Sequence, residues 1–337
     1  MKPRRRDARP QPIARPAWSK DTELNAAWLC TIGALTIDDL VFWPSGETVM
    51  RQAGGNSIYS ALGARVWIRR VTTLTRVGVD YPVQQLERVM SRVEVVLVPV
   101  DAPSMSAWGL YEANGQRQWV PHPKSGTQIQ MTPIPAELSP GLLSCRAFHL
   151  ASMPPSPHLD WSERLRRIGA FTSADSIQIE VLGTRSTENE RTHLAMLPNI
   201  DCYLPSAVEA RALTGIDDPI ACARALADRG PRIVAIKLGH EGSVVYDKVR
   251  RESAHVPAVG TAVDPTGAGD AFCGGFLAGY ILSGDAVSAA QMAAVSASFA
   301  IEALGFASLL KPPPSEIADR LSIVRERTRV ERSHPSD

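Results

Sequence analysis

The sequence predicts a three-layer α/β fold: a mostly parallel central sheet with helices on both faces, plus a small β-sheet projecting from it. Three observations carry this. Short apolar runs that end in Gly or a polar pair alternate with helix-like runs along most of the chain. Two strand-like stretches, at 41–50 and 104–120, are not interleaved with helices and read as a sheet of their own. Late in the chain, a Gly-rich run opens directly onto an apolar helix.

Composition narrows the function classes. At 44% hydrophobic content the chain can bury a sizeable core, and a formal net charge of +1 gives no general attraction to nucleic acid or acidic membranes. The five cysteines are scattered with no C-x-x-C pair, which reads as reduced thiols of a cytoplasmic protein. No apolar run reaches transmembrane length, and no histidine pair has metal-ligand spacing. The expected partner is a small molecule, with no nucleic acid and no membrane. Residues 1–24, with Arg4, Arg5 and Arg6 among several prolines, read as a disordered basic tail. Residues 25–330 read as the folded domain and 331–337 as a frayed end.

The elements follow in order. Trp28 to Leu35 is a buried-type strand, with Thr36-Ile37-Asp38-Asp39 at its carboxyl end, where open α/β sheets bind ligands. An ionised carboxylate there orients hydroxyls, although an Asp pair at a strand end also suits a plain turn. Gly54-Gly55-Asn56 precedes a helix over 57–67, and Gly-Gly permits close backbone approach. Strands are expected at 71–78 and 94–100, with a helix from Tyr81 to Val89 between them. Asn114-Gly115 marks a hairpin. Beyond it come a strand at 143–150 ending in His149-Leu150, read as structural, a helix from about Leu159 to Ile168, a strand at Ser176–Val181 and a helix at 186–196. Asp201 to Ala210 is a strand-to-helix junction in which Glu209 falls in the first turn, where a carboxylate complements the dipole. A helix at 219–228, a strand at 232–239, a turn at His240-Glu241-Gly242 and a buried helix at 286–303 complete the core. A last amphipathic helix runs from Ser315 to about Val330.

The most informative stretch is Asp264-Pro265-Thr266-Gly267-Ala268-Gly269-Asp270-Ala271-Phe272. Small residues before a helix leave backbone N–H groups unpartnered, and the macrodipole makes the spot suit an anion. Asp270 would repel a phosphate there unless it has its own task, and taking a proton from an attacking hydroxyl is that task. Read alone, Asp270 also fits a capping carboxylate.

This motif resembles the C-terminal signature of the ribokinase-like (PfkB-type) carbohydrate and nucleoside kinases, and the resemblance spans roughly Ala27 to Arg325. It implies an ATP-dependent phosphotransferase acting on a hydroxymethyl group of a sugar or sugar-like polyol, with a nucleoside kinase and a catalytically weak sugar sensor as alternatives. By resemblance, Asp270 is the general base and Gly267, Ala268 and Gly269 form the anion hole. Asp38, Gly54, Gly55 and Asn56 meet the substrate; Tyr59 stands where the family has Asn. Lys237, Gly239, Gly242 and Thr266 lie on the nucleotide side. Glu209 organises Mg²⁺ through water, with Ser206 in place of the usual Asn. Asp264 matches a position that holds a monovalent cation, K⁺, in some relatives. By resemblance the small sheet corresponds to a lid, from about 40–54 and 102–122, that often forms a homodimer interface in relatives. No G-x-x-x-x-G-K-[ST] run is present, which argues against a P-loop kinase.

Overall fold

The computed structural model describes residues 28–332 except 44, 113–116, 177–179 and 182–183. The first strand, β1 (Trp28–Ala34), serves two cores at once. Leu29 packs into one hydrophobic cluster while Cys30 and Ile32 pack into another, because successive strand residues point to opposite faces. β2 (Thr36–Phe42) and β3 (Glu47–Gly54) then leave the main sheet as an antiparallel pair. Only Leu35 separates β1 from β2, so the small sheet begins at Thr36, ahead of position 40. α1 (Asn56–Arg65) leads to β4 (Arg70–Val77), parallel to β1.

Between β4 and β5 (Glu94–Pro99) the expected helix over 81–89 is a 3₁₀ turn at Val83–Leu86 running into the one-turn α2 (Glu87–Met90). Only Leu86 and Val89 of that segment are buried, too narrow a stripe to hold a longer helix on the sheet. β6 (Met105–Tyr111) pairs parallel with β2, and β7 (Arg117–Pro121) pairs antiparallel with β6. The result is a separate four-stranded sheet of order β3-β2-β6-β7. The expected Asn114-Gly115 turn and the basic tail at 1–24 lie outside the described residues.

α3 (Gln128–Met131) and β8 (Ala147–Leu150) follow, then α4 (Pro155–Arg167), which starts four residues ahead of expectation. Its prolines sit in the first turn, where a missing N–H leaves no helical bond unmade. The expected strand at Ser176–Val181 is displaced. The main-sheet strand is β9 (Phe171–Ala174), while β10 (Glu180–Val181) and β11 (Thr184–Arg185) form a two-strand hairpin apart from it. Thr172 and Ser173 hide β9 from a hydrophobicity reading. Pairing with β8 and a hydrogen bond from the Thr172 N–H to the Asp201 carboxylate (2.8 Å) fix it in place.

The remaining elements are α5 (Thr187–Met196), β12 (Cys202–Tyr203), α6 (Ala207–Thr214), α7 (Pro219–Ala227), β13 (Ile233–Lys237), β14 (Ser243–Asp247), β15 (Glu252–Val256), α8 (Ala268–Ser283), α9 (Ala286–Ala300), α10 (Ala307–Leu310), α11 (Pro314–Arg327) and β16 (Arg329–Arg332). The main sheet has ten strands, ordered β16-β15-β14-β13-β12-β9-β8-β1-β4-β5, parallel from β13 to β5 and antiparallel at the other edge. The C-terminal segment is not wholly frayed: β16 closes the β15 edge, with Arg332 bonded to Glu252 at 2.8 Å. Residues 333–337 are outside the described set.

α1, α8 and α9 pack together on one face. Gly63 and Gly274 bring α1 and α8 close, since a Cβ at Gly274 would overlap the Ser60 carbonyl and one at Gly63 the Ala271 backbone. On the opposite side of the sheet, α4 packs against β8 and β9, α5 against α4, and α7 against β13 and β14. No helix among the described residues is long and apolar enough to cross a membrane.

Three buried histidines mark the α4–α5 side. His149 meets the Ser173 hydroxyl at 3.0 Å and His193 the Tyr203 hydroxyl at 2.8 Å, with the His158 ring 5.6 Å from that of His193. Burial depresses all three, His149 to about 3 and His193 to about 4. The folded chain therefore keeps them neutral while the unfolded chain binds protons below about pH 6.5. Their contribution is complete above that pH and is lost as pH falls toward 4. Thermal denaturation should show the melting temperature dropping steadily from pH 7 to 5, and His193→Gln should flatten that slope; an unchanged slope would assign the acid sensitivity elsewhere.

Candidate active site

Most of the residues singled out in the sequence gather where the carboxyl ends of the parallel strands meet the start of α8. The turn before α8 is made by Gly267, whose φ of 75° is left-handed and whose missing Cβ leaves room for the Tyr59 ring beneath it. Ala268, Gly269 and Asp270 form the first turn of the helix. Ala268 and Gly269 line a cavity of about 450 Å³ together with Lys237, Gly239 and Gly242. Its far wall is apolar, built by Phe272, Ala294, Ala297 and Ile301. A helix N-terminus opening into an apolar-walled cavity suits a ligand with a polyanionic end and a flat apolar end. Thr266, expected on this side, does not line the cavity; its hydroxyl meets that of Tyr111 at 2.6 Å.

Lys237 ends β13 and is largely buried, its ammonium 2.6 Å from the Asp175 carboxylate. Burial alone would lower its pKa, but Asp175, Cys273 and Glu209 outweigh that and hold it above its ordinary value, so it stays charged. Burial also raises the Asp175 carboxyl, with Glu209 adding to the rise and Lys237 opposing it. The ammonium lies 3.5 Å from where a Gly269 Cβ would stand, placing a positive charge beside the helix start. Asp175 was missed in the sequence because the strand was expected to begin after it. With β9 ending at Ala174, Asp175 takes the position where parallel strands present ligand-facing residues.

Glu209 sits in the first turn of α6 and closes a capping box with Ser206: its Oε2 accepts from the Ser206 N–H at 2.8 Å and hydroxyl at 2.7 Å. Ser206 thereby performs a capping task that fixes the Glu209 carboxylate. Among the described residues no group of three or more His, Cys, Asp or Glu could hold a metal. One oriented carboxylate fits a Mg²⁺ carried mainly by phosphates and water.

The other side of the α8 start is built from the small sheet and α1. Asp38 lies against Gly54, where a Cβ would overlap its carboxylate, and Gly55 caps α1. Asn56, expected to meet the substrate, has its amide engaged with backbone groups. Its amide accepts the Ala34 N–H at 3.0 Å and donates to the Ser152 carbonyl at 2.7 Å, bracing the ends of β1 and β8. Tyr59 is 4% exposed and packs on Phe306 with ring centroids 4.8 Å apart. Burial pushes its phenol well above the ordinary pKa, and Asp264, Asp38 and Asp270 push it further, so it remains a donor facing carboxylates. Asp264 is buried, its Oδ1 accepting from the Tyr111 hydroxyl at 2.8 Å and the Thr266 N–H at 2.9 Å.

This fold and this site define a class of kinases for small acceptors, and the comparisons agree. The pfkB family carbohydrate kinase model matches residues 29–312, and the chain belongs to that family. It is 30% identical over 257 residues to a cytidine kinase of Thermococcus kodakarensis, covering 75% of this chain and 88% of that one. Among solved structures it is similar to a ribokinase from Giardia lamblia (TM-score 0.69, 18% identity, 88% of this chain and 99% of that one). It is also similar to an Arabidopsis thaliana ribokinase complexed with ribose and ATP (TM-score 0.66, 19% identity, 88% and 99%).

Replacing Asp175 with Asn should leave Lys237 a buried cation without its counter-ion. The expected cost is about 3–5 kcal/mol of unfolding free energy, read by urea denaturation; a loss under about 1 kcal/mol would show that the pair does not hold Lys237.

Proposed function

We propose that this kinase transfers the γ-phosphoryl group of ATP to a hydroxymethyl group of a sugar or sugar-like polyol. The observation that carries the reading is the position of Asp270. It stands in the first turn of α8, next to Gly269, which lines the cavity with Lys237, Gly239 and Gly242, and its charge acts on Tyr59, as does that of Asp38.

In this mechanism Asp38 accepts hydrogen bonds from acceptor hydroxyls and fixes the ring. Asp270 takes the proton of the attacking hydroxyl as its oxygen bonds to the γ-phosphorus and the bond to the ADP oxygen breaks. The N–H groups of Gly267 and Gly269 would face the charge that grows on the transferring oxygens, with Lys237 beside them, and that of Ala268, which donates to the Pro265 carbonyl at 3.3 Å, would join them once a phosphate is bound. Mg²⁺, when bound with the nucleotide, neutralises phosphate charge, and Glu209 would hold it through water. The four-stranded sheet acts as a lid that excludes water, so that ATP is not hydrolysed unproductively. Its far side exposes Leu110 and Val120, with Trp43 at its edge, an apolar face suited to pairing two copies through the lid.

A nucleoside acceptor is the second reading, favoured by the likeness to the cytidine kinase over most of both chains. The test is ADP release with ATP and Mg²⁺ across sugars, sugar acids and nucleosides, beside Asp270→Asn. One acceptor should stimulate release, and the variant should fold normally yet turn over about 10²–10⁴-fold more slowly. Full activity in the variant would remove Asp270 from the mechanism.

A further inference from the structure

Two tyrosines grip the turn before α8, and they come from different parts of the fold. Tyr59 reaches it from α1 and fills the space under Gly267. Tyr111 reaches it from β6 of the small sheet, 153 positions from Asp264 in the sequence. Its hydroxyl donates to Asp264 Oδ1 at 2.8 Å and meets Thr266 Oγ1 at 2.6 Å. The Thr266 N–H donates to the same Oδ1 at 2.9 Å. Phe42 of β2 backs the Tyr111 ring at a centroid distance of 4.9 Å, so the phenol is held by its own sheet as well as by the turn it touches.

We propose that Tyr111 is a positioning residue: its hydroxyl ties the small sheet to the Asp264–Gly267 turn and so sets the direction of the N–H groups at the start of α8. The inference rests on the kinase reading for its catalytic consequence, though the tie itself does not. A buried carboxylate must be met by donors or by a cation. At Asp264 two protein donors meet Oδ1, and in this proposal they hold the turn whether or not a monovalent cation is bound. Because one donor belongs to the small sheet, movement of that sheet and order in the turn become one event. Lid closure over an acceptor and alignment of the anion hole are thereby linked, and ATP meets an ordered hole chiefly when the lid is down.

Tyr111→Phe isolates the hydroxyl, since Phe keeps the ring and its stack on Phe42. Two readouts are needed on the full chain. The first is hydrogen–deuterium exchange of amides 264–269 without ligand. The second is kcat and KM for ATP-Mg²⁺ with cytidine and with D-ribose. Exchange at 264–269 should rise about tenfold or more in the variant. Turnover should fall about 10–100-fold, with both KM values within about threefold. Unchanged exchange would overturn the proposal, as would a raised acceptor KM with kcat intact, which would make Tyr111 a ligand contact instead. If neither acceptor is phosphorylated, the choice of acceptor is at fault and exchange alone decides the tie. In the unsubstituted protein, exchange at 264–269 should be equal in potassium and tetramethylammonium chloride; slowing by potassium would assign the holding to a cation and overturn the proposal. Should Tyr111→Phe not fold, Thr266→Val removes one of the two partners and is read in the same way.

Discussion

The close crossing of α1 and α8 is the constraint on which the site depends. Gly63 and Gly274 remove the side chains that would hold the two helices apart. The helix pair can then lie tightly on one face of the sheet, and the start of α8 is fixed at the carboxyl ends of the parallel strands. Gly267 completes this with a left-handed turn that no larger residue could make over the Tyr59 ring. A helix start is a useful anion site only if its N–H groups point to one place; backbone packing places the helix start here, and the proposed Tyr111 tie completes that direction.

The second organising feature is the separation of charge. Carboxylates crowd the region: Asp38, Asp264 and Asp270 face Tyr59, and Glu209 and Asp175 approach Lys237. In the proposed mechanism an anionic substrate is tolerated there because several of these groups are answered within the protein. Lys237 pairs with Asp175, the Ser206 N–H and hydroxyl meet Glu209, and Tyr111 with Thr266 meets Asp264. In the proposed mechanism Asp270 then acts as a base toward a hydroxyl while positive groups lie on the phosphate side of the helix start.

Much of this was legible in the sequence. The strand–helix alternation gave a parallel sheet covered on both faces, and the Asp264–Phe272 stretch pointed to a helix start shaped for an anion. The family resemblance put Lys237, Gly239 and Gly242 on the nucleotide side, and in the structure they line one cavity with Ala268 and Gly269. What was misplaced shares a physical cause. β9 contains Thr172 and Ser173, so its identity as a buried strand comes from pairing with β8 and β12 and not from apolar pattern. With that strand displaced, Asp175 could not be seen as a partner for Lys237. β16 is exposed throughout and has no apolar signal; the open edge of β15 recruits it.

Asn56 shows the same division at a single residue. Its position after Gly54-Gly55 was readable, but its amide faces the Ala34 and Ser152 backbone, partners set by how β1 and β8 end. By itself, then, the sequence determined what is local: the helix start, the glycines that permit it and the alternation that builds the sheet. Backbone propensity and side-chain period are encoded within a few residues, so these features need no distant partner. The tertiary structure alone decided the long-range pairs: Lys237 with Asp175, and Tyr111 with Asp264. The strength of a buried charge or hydroxyl depends on which group meets it, and that group stands tens to hundreds of positions away in the chain.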